Sequence, residues 1–264
     1  MARDPERRAE LTEHLAELRS RLIACVVFVA IGMVIAWFTY DWILAILTKP
    51  MAEILRQLDS KFLLTGFPEA FMIRMQICLV AGLIIMSPLV IWQIWAFVSP
   101  GLTPNEKRPL KWIAPLSVVL FVSGVVLCYF ILPAAFKWFA SYVPKGAELR
   151  PSVQASVLFT VKMLFAFGVV FQLPVVLMLL AMVGIVDSQM LKDNWRIAMV
   201  AVSVVAAIAT PSNDAFSMLC MAIPVAGLYL FSIFLVWLVE GNRPFASVIG
   251  SWLGKVFHRK RVKA

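Results

Sequence analysis

The sequence predicts an all-α, polytopic integral membrane protein with six transmembrane helices, and three observations predict it. The chain is 62% hydrophobic and 15% charged, with a mean hydropathy of +0.89, against soluble averages of about 45–50% apolar and about 25% charged. Most of its apolar runs approach or exceed the roughly 20 residues that a helix needs to cross a hydrocarbon core of about 30 Å. The charges fall between those runs rather than along one soluble surface. The formal net charge of +9 is therefore explained by membrane topology and does not require a nucleic-acid partner.

The chain reads as one membrane domain, residues 1–264. Asp4 and Pro5 form a helix start, with Asp as the cap and Pro at the first helical position. Leu11, Leu15, Leu18 and Leu22 recur at spacings of four, three and four, so residues 1–21 predict an amphipathic helix at the interface. The first span follows at 22–40. Residues 41–74 mix charges with Pro50, Gly66 and Pro68 and predict a long external loop, with an amphipathic helix around 51–58.

The second span covers about 70–98, with Pro88 inside it. The passage Val98 to Lys111, VSPGLTPNEKRPLK, then carries three prolines, a glycine and one acid, and predicts a loop that continues neither neighbour. The third span covers 112–136 and the second external loop runs from Lys137 to Pro151. The fourth span, 153–186, holds Gln172 and Pro174. An inner loop at 187–196 leads to a fifth run, 197–210, whose 14 residues reach only about 21 Å, too short for an unperturbed bilayer. The sixth run, 215–239, is expected to be broken at Pro224, so the last two spans are expected to be short. A basic tail occupies 240–264.

Six spans put both ends of the chain on one side. That side receives 16 of the 24 Lys and Arg residues and the other side 8, which predicts cytoplasmic termini.

Several function classes are excluded by what the sequence lacks. It has two histidines, His14 and His258, and no HExxH, GxSxG, P-loop or GxGxxG pattern. Its four cysteines lie inside apolar runs, without ligand or CxxC spacing. No enzyme, metal site or cofactor is expected. The first twenty residues hold five acids and no apolar centre, so a cleavable signal is not expected there.

Four segments carry a resemblance: HLAELRSRL at His14 to Leu22, WAFVSPGLTPNEKR at Trp95 to Arg108, FGVVFQLPV at Phe167 to Val175, and ATPSNDAFSMLCMAIP at Ala209 to Pro224. In this order and spacing they resemble the signature segments of the TatC family, the core receptor of the twin-arginine protein translocase. The resemblance implies a receptor and scaffold in the cytoplasmic (inner) membrane that exports folded proteins with the proton-motive force and no nucleotide. It implies binding of twin-arginine signal peptides at the cytoplasmic face, TatA-like and TatB-like single-span partners, membrane lipids, and self-association in the receptor complex.

The site residues come with the resemblance. Glu17 and Glu106 match the glutamates that contact the paired arginines, and a carboxylate suits that task because it accepts two parallel guanidinium hydrogen bonds. Read without the family, Glu17 pairs with Arg21 one turn on, and Glu106 with Lys107 or Arg108. Arg19 and Leu22 match the N-terminal motif, and Phe97, Pro100 and Gly101 match the loop. Arg19 is expected to order the carboxylates or to tune selectivity by repulsion. Phe97 reads equally as an interfacial aromatic, and Pro50, on the opposite side, equally as a turn residue.

Gln172 stands where many relatives carry glutamate, so a proton relay through this position loses its ionisable group. It reads as a polar contact to a signal peptide or to a partner's polar residue, or as a satisfier of backbone groups freed by Pro174. Asp214 matches an acidic position and reads equally as the cap of the last helix. The short fifth run is expected to dock a single-span partner through Met199 and Val202. The rival reading is a secondary transporter or channel for a small solute, suggested by the mid-span prolines.

Overall fold

The structure is a computed structural model that describes residues 5–57, 62–63, 66–98, 107–144, 150–210 and 215–240. Ten helices account for almost all of these residues: α1 (Pro5–Phe38), α2 (Tyr40–Gln57), α3 (Phe67–Ile85), α4 (Ser87–Val98), α5 (Lys107–Ser141), α6 (Val153–Val170), α7 (Leu173–Met182), α8 (Ser188–Asp193), α9 (Trp195–Ala209) and α10 (Ala215–Glu240). The all-α membrane class stands. Five stretches are long and apolar enough to cross a membrane, and α4 and α9 are shorter apolar helices.

Several expected boundaries are corrected. The interfacial helix and the first span are one helix of 34 residues, since nothing between Arg21 and Leu22 interrupts its hydrogen bonding. The expected external loop at 41–74 contains nearly all of helix α2, which begins after a one-residue joint at Thr39, and the first turns of α3. The second and fourth spans are each two helices, because Pro88 and Pro174 each stand at the second position of a new helix. A missing N–H costs nothing there. The last helix, by contrast, runs unbroken through Pro224 for 26 residues, about 39 Å, and is not short.

Pro50 lies inside α2 and is buried, not in a turn. Proline cannot donate to the carbonyl four residues back, which is that of Ile46. The Tyr129 hydroxyl of α5 donates to that carbonyl at 3.2 Å, so a neighbouring helix satisfies the group the proline leaves free.

The core centres on α6, whose Val157, Thr160 and Phe167 are fully buried and which contacts α2, α3, α5 and α9. Helix α1 lies along α3 at a crossing of glycines. A Cβ on Gly32 would stand 2.6 Å from the Gly82 carbonyl oxygen, and one on Gly82 2.6 Å from the Met33 nitrogen. Small residues at a crossing allow this backbone approach, which is how membrane helices gain packing without a hydrophobic drive between them.

At one end of that crossing the Arg74 guanidinium lies 4.3 Å from the Trp37 ring centre and 4.7 Å from that of Tyr40, and donates to the Trp37 carbonyl. At the same end, Leu63 donates its backbone N–H to the Pro151 carbonyl and accepts the Val153 N–H, which ties the segment before α3 to the start of α6.

Candidate functional site

The candidate site lies where the first half of α1 meets α4, segments some eighty residues apart in the sequence. On α1, positions 14, 17 and 21 follow at three and four and so share one face. That face meets Gln93 and Phe97, one turn apart on α4. The Arg21 Nε and one terminal nitrogen donate to Glu17 Oε1 at 2.9 and 2.7 Å, and the other terminal nitrogen donates to Gln93 Oε1 at 3.2 Å. His14 stacks on Phe97 with ring centres 4.5 Å apart and planes inclined by 18°. Helices α1 and α4 are thereby joined by one amide contact and one ring stack, beside an ion pair within α1.

The chemistry of this cluster follows from which atoms are engaged. Both Arg21 donations fall on Oε1, and among the described residues no donor reaches Glu17 Oε2. The carboxylate is aimed by Arg21 and retains an acceptor. Exposed ion pairs contribute about 0–1 kcal/mol to stability, so this half-buried pair is better suited to holding a geometry than to holding the fold.

Arg19, expected to order the carboxylates or to tune selectivity by repulsion, is exposed on a different face of α1, and the described partner of Glu17 is Arg21. Leu22 is 62% exposed, as are Leu15 and Leu18 to similar degrees, so the leucine stripe faces away from the protein. Glu106, Pro100, Gly101 and Asp214 lie outside the described residues. His14, Arg21 and Gln93 are the cluster members that motif matching did not single out. His14 and Arg21 sit inside the first quoted segment, and Gln93 stands four residues before Phe97, a helical spacing that signals a shared face.

Gln172 lies at the break between α6 and α7 and its side-chain amide donates to the Ser117 carbonyl of α5 at 2.9 Å. It therefore satisfies a neighbouring helix, not the turn opened by Pro174. The Ser117 hydroxyl donates to the Ile113 carbonyl and accepts from the Trp95 indole N–H at 3.0 Å. Trp95 and Ser117 are buried. This neutral network joins α4, α5 and the α6–α7 break.

On α9, Val202 is 4% exposed and packs into the protein's own core, and Met199 is half-buried against the cluster of Ala181 and Tyr229. The outward face of that helix is carried by Ile197, Val200, Val204 and Ile208, which are 51–80% exposed. No group of three or more metal-ligating side chains occurs among the described residues.

Comparison with known proteins places these residues in context. A family model described as Sec-independent protein translocase protein (TatC) matches residues 13–224. The chain is 36% identical over 225 residues to the Sec-independent protein translocase protein TatC of Xylanimonas cellulosilytica, covering 84% of this chain and 82% of that one. It is 35% identical over 233 residues to the protein of the same name from Carboxydothermus hydrogenoformans, covering 87% and 93%. A crystal structure of the twin arginine translocase receptor TatC superposes with a TM-score of 0.74 at 33% identity, covering 86% of this chain and 99% of that one.

Proposed function

The chain belongs to the TatC family of Sec-independent protein translocase proteins, and on that premise we propose that it is the receptor that binds twin-arginine signal peptides. It is a non-enzymatic, multi-pass membrane subunit of the translocase. The observation that carries the proposal is the α1–α4 cluster. Glu17 is held by Arg21 through one oxygen and keeps the other for an incoming guanidinium.

The binding step is then an exchange of hydrogen bonds. A cargo arginine approaching Glu17 donates to Oε2, and the charge already shared with Arg21 limits the carboxylate to one further guanidinium. A pair of arginines therefore asks for a second carboxylate, and Glu106, which the family resemblance pairs with Glu17, is the candidate. Arg21 stays anchored on Gln93 and keeps the carboxylate from turning away.

In this reading the Glu17 end of the bundle, with both termini and the α4–α5 loop, faces the cytoplasm, as the excess of basic residues on that side supports. The protein sits in the cytoplasmic membrane with six spans, counting α9. Single-span TatB-like and TatA-like partners complete the machine, one of them against the outward face of α9 through Val200 and Val204. Export draws on the proton-motive force, and Gln172, which cannot ionise, is not its proton carrier. Receptor copies associate with one another in the assembled complex.

The test is export of a twin-arginine reporter by cells carrying Glu17→Ala, with the amount of inserted protein measured in parallel. The expected result is loss of export at normal abundance. Normal export would refute the receptor role of Glu17.

A further inference from the structure

The last described residue of α10 is an acid, Glu240, and its carboxylate reaches away from its own helix onto the segment before α9. Its Oε1 accepts the backbone N–H of Ser188 at 2.7 Å and its Oε2 accepts the Ser188 hydroxyl at 2.5 Å. Three turns back along α10, the hydroxyl of buried Tyr229 donates to the Leu191 carbonyl at 2.7 Å. The first and fourth residues of α8 are thus both held by α10, and Leu191 packs with Ala181, Tyr229 and Val236 beneath them.

The segment leading into α8 is built to present it. Gly184 takes a positive φ of 79°, a conformation that glycine adopts without penalty. With it, Ile185 donates to the Leu180 carbonyl and closes α7. Asp187 then caps α8 by accepting the Met190 N–H at 2.5 Å. At the far end Asn194 serves both helices. Its side chain donates to the Met190 carbonyl of α8, and its carbonyl accepts the Ala198 N–H of α9. With a single residue between α8 and α9, displacement of one is passed to the other.

Helix α9 also packs directly against α10 and α6. Among its described side chains, Val202 and Ala206 are buried in the protein core, and at about 22 Å it is shorter than the hydrocarbon layer. We propose that Glu240, with Tyr229, is a positioning residue that clasps α8 to the end of α10 and thereby fixes the depth of α9. The outward residues Val200 and Val204 are then offered to a single-span partner at one register. This consequence for export rests on the receptor reading above; the clasp itself does not.

Hydrogen–deuterium exchange on the full-length protein in lipid nanodiscs tests the clasp. Glu240→Ala is expected to raise exchange at Met190 to Ala198 at least tenfold while residues 153–182 keep their protection. Tyr229→Phe, which removes only a hydroxyl, is expected to raise it at Leu191 to Ala198 by a smaller factor. Unchanged exchange in both variants, or an equal rise throughout the chain, would overturn the clasp.

The positioning role is read separately, by crosslinking from a cysteine at Val204 to single-span partners and by reporter export. Glu240→Ala is expected to move the crosslinks along the helix and to lower export severalfold, and binding of a twin-arginine peptide is expected to stay unchanged. An unshifted crosslink pattern with normal export would overturn the role. A Glu17 variant that exports normally would instead overturn the receptor reading and leave the exchange result standing.

Discussion

Helix α4 serves two polar clusters on opposite faces, and they differ in what they leave available. Toward α1, Gln93 and Phe97 meet Arg21 and His14, and the neighbouring Glu17 keeps a carboxylate oxygen that no described donor reaches. Toward α5, Trp95 donates to Ser117, Ser117 donates to Ile113, and Gln172 donates to the Ser117 carbonyl. The first cluster is charged and partly exposed. The second is neutral and closed around a buried hydroxyl that both donates and accepts. A polar group left unpaired in a membrane interior is costly, so the closed network belongs to the fold. The open cluster contributes little to the fold, and it is the one to which the proposed reading assigns binding.

The largest expected effect breaks the open side. Glu17→Ala should reduce export of a twin-arginine reporter at least tenfold without lowering the amount of inserted protein, measured by immunoblot of membranes. If stability fell with it, the cluster would be part of the fold after all.

The next breaks the closed side. Ser117→Ala leaves the Trp95 indole N–H without its acceptor, which costs about 1–3 kcal/mol. Thermal unfolding in detergent should shift down accordingly, and export should fall only as folded protein is lost. A smaller effect is expected from Gln172→Leu, which removes one interhelical bond of a kind that averages about 0.6 kcal/mol and reaches about 1.7 kcal/mol in membrane proteins. Its unfolding midpoint should lie between those of the parent and Ser117→Ala.

The smallest effect sharpens the open side from within. His14→Ala removes a ring stack on Phe97 that contributes about 0.5–1.5 kcal/mol. Export should drop two- to threefold, with the loss recovered by His14→Phe. Equal export in all three proteins would remove the stack from the account.

The sequence made the apolar spans legible, because run length against bilayer thickness is a strong constraint. It made the position of Glu17 legible through its motif. It hid the helix breaks at Met86 and Phe171–Gln172, since Pro88 and Pro174 look the same in a sequence whether they kink a helix or start one. Pro224 was misread for the same reason in the opposite direction.

Helix α2 was hidden because its charges, Asp41, Lys49, Glu53 and Arg56, resemble loop composition although they occupy the exposed face of a packed helix. The Pro50 defect is satisfied by a hydrogen bond from Tyr129 to the Ile46 carbonyl, residues 83 positions apart, and no local pattern announces it. Arg21 was visible only as a solvated partner of Glu17. Its bond to Gln93, which turns an ion pair into an aimed carboxylate, required the helices to be packed.

The most direct test of the central claim compares the two clusters in one binding measurement. The affinity of a synthetic twin-arginine signal peptide for the full-length protein in nanodiscs should fall at least tenfold for Glu17→Gln and stay within twofold for Gln172→Leu. Equal affinity for Glu17→Gln and the parent, or a larger loss for Gln172→Leu than for Glu17→Gln, would contradict the division between a binding cluster and a structural one.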